Sequence, residues 1–187
     1  MEAVKNLEIM TAYRDYAPYV DVTRSIRSLV DSVPAQFVIA LKEVVLTNAA
    51  AQSRHERRRR VRSRNLKRHT ADARALYHGA SRGQAARIEL FVDKVFENVP
   101  RTVQRIPFVR DLLLASVFYH ELGHHIQRTS HPQSGEAEDV ADEWAQKLMV
   151  MFVRQKYWYA MPLIRLIGFL DRRRGQRPSA RGGFLRQ

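Results

Sequence analysis

His120-Glu121-Leu122-Gly123-His124 brings two imidazoles and a carboxylate together within five residues of one apolar run. In a helix, residues four apart lie on one face, so His120 and His124 can both turn a ring nitrogen toward one metal ion. Glu121 is rotated about 100° from His120. That direction suits a carboxylate that addresses a water on the metal and not the metal itself. The chain has no cysteine, which excludes a disulfide framework and any thiolate zinc site. A metal would therefore sit on imidazole and carboxylate.

A catalytic zinc takes three protein ligands and leaves one position open for water. Glu138, fourteen residues beyond His124, opens the next helical stretch and fits as the third ligand. Asp142 stands four residues further on and shares its face, where it can accept the second N–H of a ligand imidazole, His120 being the natural partner. The small residues Gly123, Ala141 and Ala145 would let the two helices approach closely. Glu136 is the rival third ligand but lacks an Asp four residues on. His125 points away from the pair and His131 falls in the intervening loop, so both read as supporting or surface histidines.

HELGH followed by ExxAD resembles the gluzincin metallopeptidases, most of all the membrane-protein-processing and minimal soluble enzymes of the M48 type, over residues 108–148. The resemblance implies Zn2+ as cofactor, with His120, His124 and Glu138 as metal ligands, Glu121 as general base and Asp142 orienting a ligand ring. It also implies an α+β, zincin-like fold in which a small antiparallel sheet packs on the active-site helix pair. The implied activity is metal-assisted hydrolysis of peptide bonds in a protein or peptide substrate. The transmembrane helices of larger family members are absent from this chain. Zincin-fold regulators carry a similar motif, so a regulatory or nucleic-acid-binding protein is the alternative. For the donor to a tetrahedral oxyanion, His78, Tyr157 and Tyr159 qualify by residue type, and the spacing selects none of them.

The elements that must position these groups follow from pattern. Val22, Ile26, Leu29, Val30 and Val33 recur at helical spacing over 21–33, and Pro34 ends the run. Residues 37–46 are dense in β-branched side chains and read as a strand. Residues 73–78 and 86–92 alternate around a turn at 79–83 and read as a hairpin. A helix over 108–128 is apolar on all sides, as suits one that carries a site through the middle of a domain. A second helix spans 136–159 until Pro162 breaks it, and a short apolar helix is expected over 163–170. No firm pattern emerges from the first twenty residues.

The length of 187 residues suits one domain, 1–171, with a basic inserted loop at 54–70 and a basic disordered tail at 172–187. The net charge of +13 is concentrated in two segments. Residues 54–68 hold nine Arg or Lys against one Glu, and 172–187 hold six Arg and no acid, leaving the remainder at −1. Residues 54–68 are expected as a solvated loop or frayed helix end that can touch nucleic acid or an acidic surface, as can the tail. The first ten residues lack the apolar core of a signal peptide, and no uncharged apolar stretch is long enough to span a membrane. The expected location is cytoplasmic.

Overall fold

The structure, a computed structural model, describes residues 7–52, 60–63, 66–69, 73–81, 83–130 and 137–160, with 60–63, 66–69 and 160 as backbone only. The expected short helix at 163–170, the tail, His131 and Glu136 lie outside these residues. A four-stranded sheet has the order β1-β2-β6-β5, built from β1 (Glu8–Ala12), β2 (Leu41–Thr47), β5 (Ala75–His78) and β6 (Ala86–Phe91). A separate two-stranded sheet pairs β3 (Arg60–Ser63) with β4 (Leu66–His69). The helices are α1 (Val22–Ser32), the short α2 (Val92–Val95) and α3 (Arg101–Gln104), then α4 (Pro107–Ser130) and α5 (Glu138–Lys156).

The four-stranded sheet is mixed, where an antiparallel one was expected. β1 runs parallel to β2 and β2 parallel to β6, while only the edge strand β5 pairs antiparallel, with β6. The reason is connectivity: α1 carries the chain from β1 to β2, and a strand–helix–strand crossover returns the chain in the same direction. The β5–β6 hairpin is as its alternation predicts. Val44 stands beside Ile88 and Leu46 beside Leu90 in register, all four fully buried, and Tyr77 joins them from the edge strand. Their alternate neighbours Glu43, Val45, Arg87 and Glu89 lie on the opposite face.

Two segments depart from their sequence patterns. The strand expected from residue 37 begins only at Leu41, because Ala35–Val38 form a 3-10 turn and Ala40 sits in the left-handed region at φ 65°. The side chains that made 37–46 look extended have other partners: Phe37 packs on Trp144 of α5, with ring centroids 5.0 Å apart. The basic segment, expected as a loop or frayed helix end, contains the antiparallel β3–β4 ribbon, in which two short strands satisfy each other's backbone groups.

α1 is capped by Asp21, whose carboxylate accepts the Arg24 N–H at 2.8 Å, and it buries Ile26, Leu29 and Val30. Pro107 opens α4, where its missing N–H costs nothing. In its first half α4 buries one stripe, Asp111, Leu114, Ala115, Phe118 and Tyr119, and not every side as its composition suggested. Only residues 122–127 are buried without interruption, and these follow directly on His120 and Glu121. The apolar faces of the sheet, α1, α4 and α5 join in one core. No helix among the described residues is long and apolar enough to cross a membrane.

At the far end of α4 a second buried group ties the helices. Asp111 is fully buried and accepts hydrogen bonds from Ser25 of α1 (2.8 Å), from Lys156 at the end of α5 (2.8 Å) and from Tyr157 (2.8 Å). Burial alone would raise this carboxyl, but those hydrogen bonds outweigh it and hold the group below the usual carboxylate range.

Candidate metal centre

α4 and α5 pack along each other, and Gly123 sets how close they come. A β-carbon at Gly123 would stand 2.6 Å from the Ala141 carbonyl oxygen and 2.8 Å from its Cα. The start of α5 is held by Gln127, buried on α4, whose Oε1 accepts the Ala137 N–H at 3.2 Å. That bond satisfies a backbone donor at the helix N-terminus and fixes the residue immediately before Glu138. Gln127 carries no motif, and nothing in the sequence marked it.

His120, His124 and Glu138 come together there. One ligand atom from each lies within 4.8 Å of the others, so the three could hold a metal ion. Glu138 reaches between the two rings, with Oε2 3.4 Å from His120 Nε2 and Oε1 4.0 Å from His124 Nε2. The rings stand nearly perpendicular at 88°, with centroids 4.9 Å apart. Two observations speak to whether a cation fits. Glu138 Oε2 is buried and has no hydrogen-bond donor in this structure, the condition of a carboxylate oxygen waiting for a cation. In a tetrahedral site with bonds of about 2.0–2.1 Å, neighbouring ligand atoms are about 3.4 Å apart; the His120–Glu138 pair has that spacing, and the His124–Glu138 pair at 4.0 Å is wider and would have to draw in around an ion.

Asp142 lies one turn beyond Glu138 and its Oδ1 is 2.9 Å from His120 Nδ1. The carboxylate can only accept, so Nδ1 carries the proton and the Nε2 lone pair faces Glu138. Glu121 is half-buried, next to His120 on the same helix.

The remaining histidine of the segment is buried and not at the surface. His125 Nε2 donates to the Ile39 carbonyl at 2.9 Å, and its Nδ1 accepts from the Tyr77 hydroxyl at 3.2 Å. Burial lowers its pKa, with the Ile39 carbonyl opposing. His125 is thus a neutral strut between α4, the edge strand and the left-handed corner before β2. Two of the three oxyanion candidates are engaged elsewhere, and the third lies open to solvent. Tyr157 donates to Asp111, Tyr159 is 63% exposed, and His78 Nε2 pairs with Glu89 at 3.1 Å.

Comparison with protein-family models, with curated proteins and with solved structures finds no match for this chain.

Proposed function

We propose that this chain is a zinc-dependent endopeptidase with a zincin-like arrangement, acting on protein or peptide substrates in the cytoplasm. The observation that carries the reading is the convergence of His120, His124 and Glu138 beside a half-buried Glu121, with Asp142 bonded to the first ring. An N2O donor set of two imidazoles and one carboxylate suits zinc, and a cysteine-free chain suits a reducing compartment.

Bound there, zinc would supply Lewis acidity and lower the pKa of a water toward about 7. The chain's own residues do the rest. Asp142 keeps His120 in the tautomer that offers Nε2 and raises its basicity. Glu121 takes a proton from the attacking water as the oxygen–carbon bond forms. It then hands that proton to the amine nitrogen as the carbon–nitrogen bond breaks.

The test is Glu121→Gln, measured for zinc content and for cleavage of casein. Zinc should stay near one per chain while turnover falls by about 10²-fold or more. A Glu121→Gln protein that cleaves at the parent's rate ends this assignment. Glu138→Ala should lose zinc, and a protein that retains it has its third ligand elsewhere.

A further inference from the structure

We infer that the β3–β4 ribbon is an arm for double-stranded DNA, gripping the phosphate backbone from within or across the major groove. It rests on a part of the chain that the metal centre does not use. Eight of the nine basic residues in 54–68 are Arg, whose planar fork pairs with phosphate through two parallel bonds where Lys offers a point charge. Pairing runs Arg60↔His69, Val61↔Arg68, Arg62↔Lys67 and Ser63↔Leu66. Cross-strand partners share a face, so the register places Arg60, Arg62, Lys67 and His69 on one side of the ribbon.

That register is costly for the ribbon by itself. Like charges directly opposite each other destabilise a strand pair, yet Arg62 is paired with Lys67, and no acid occurs anywhere in 57–69. A polyanion removes the repulsion. The charge is also local, since the chain outside 54–68 and 172–187 carries a net −1. Steering by a general positive field is therefore not what the sequence builds.

The kind of polyanion follows from what accompanies the charge. No Phe, Tyr or Trp occurs in 54–76, so there is no platform on which the bases of a single strand would stack. The same lack removes the anchors by which a basic segment enters a lipid surface. A two-stranded ribbon fits the major groove of B-form DNA, about 12 Å wide, whereas the deep, narrow groove of duplex RNA excludes it. Residues two apart on a strand are about 6.8 Å apart, so positions 60 and 62 are too widely spaced along the backbone to share one phosphate.

Fluorescence anisotropy of the full chain with a labelled DNA duplex of about 20 base pairs, between about 50 and 200 mM salt, decides the matter. Four phosphate contacts predict a log–log salt slope of about −3.6 and an affinity loss of about 10²-fold over that range. Replacing the four Arg and Lys of the two strands together by Ala, Arg60, Arg62 and Lys67 on that side and Arg68 on the other, should remove about that much slope. The replacement relieves like-charge repulsion, and unchanged far-ultraviolet circular dichroism with a melting temperature no lower than the parent's verifies the fold. The charge-conserving R60K/R62K protein should keep the slope, and R172A/R173A/R174A should keep the ribbon's share of it. An unchanged slope in the quadruple Ala protein overturns the inference. So does tighter ribbon-dependent binding to phosphatidylserine vesicles or to single-stranded DNA than to the duplex. None of these outcomes bears on Glu121→Gln, so the peptidase reading and the DNA reading fail separately.

Discussion

Gly123 and Ala141 meet where the two helices of the candidate metal centre cross, at a distance that only a hydrogen on Gly123 permits. The atoms a β-carbon would strike belong to the α5 backbone and have no rotamer into which to retreat. Gly123→Ala gains about 1 kcal/mol of helix propensity but must push the helices apart. The expected net effect is a loss of about 1–3 kcal/mol in denaturant unfolding, together with weaker metal binding as Glu138 is carried away from His120. A more stable variant would show that the helix crossing accommodates the added methyl group.

Asp142 binds no metal in this arrangement, yet its removal should be felt there. Asp142→Ala leaves His120 Nδ1–H without its carboxylate and frees the ring to turn or to exchange tautomers. Zinc affinity, measured against a competing chelating dye, should fall by about 10–100-fold. Asp142→Asn, which can still accept through its amide oxygen, should fall less. Equal affinity for all three proteins would dissolve the pairing of Asp142 with the site.

The five-residue motif, Glu138 and Asp142 were legible because helix geometry is local: a spacing of four fixes a shared face whatever the rest of the chain does. The close helix approach was legible for the same reason, from Gly123 and Ala141. What escaped the sequence depends on partners far along the chain. β1 has a burial pattern in which only Ile9 is even half-covered, so no alternation announced it; it is a strand because β2 offers it a parallel edge. With β1 unseen, the strand–helix–strand crossover was unseen too, and the parallel sheet with it.

The segment 37–40 was misleading for a related reason. Its β-branched composition is that of a strand, but Phe37 is claimed by Trp144 and the Ile39 carbonyl by His125. Tertiary contacts here override a propensity worth about 1 kcal/mol at most. Gln127 was invisible because a single glutamine acts through its place beside the start of α5 and belongs to no pattern.

His125 supports the fold from outside the candidate metal centre. His125→Ala removes the hydrogen bonds to Ile39 and Tyr77 and leaves the Ile39 carbonyl without its donor. The left-handed Ala40, an arrangement that costs about 1–2 kcal/mol for an L-residue, loses the strut beside it. Stability should fall by about 2–4 kcal/mol, while zinc affinity per folded molecule stays that of the parent. Tyr77→Phe, which removes one of the two bonds, should cost about 0.5–1.5 kcal/mol. A large loss of zinc from folded His125→Ala would make His125 a ligand and displace one of the three named here.

Asp111 makes the acid stability of the protein predictable. Its carboxyl is held below the ordinary range by hydrogen bonds from Lys156, Tyr157 and Ser25, which overcome the opposing effect of burial. A carboxyl depressed in the folded state contributes its full stabilisation above the unfolded value of about 3.9. That contribution is lost as pH falls through the folded value. Urea unfolding at a series of pH values should therefore show a falling limb below about pH 4, and that limb should flatten in Asp111→Asn. At neutral pH, Asp111→Ala strands a lysine, a tyrosine and a serine that join three helical segments. Because the Lys156 side chain is 36% exposed, solvent screens part of the ion pair. The expected cost is accordingly about 2–4 kcal/mol, short of the largest values for breaking a fully buried pair. Lys156→Met tests the division of labour: it should raise the Asp111 pKa and make the acid limb shallower than the parent's, though not flat, since Tyr157 and Ser25 still hold the carboxylate. An acid limb identical in the parent and in Asp111→Asn would mean that other carboxylates govern acid unfolding.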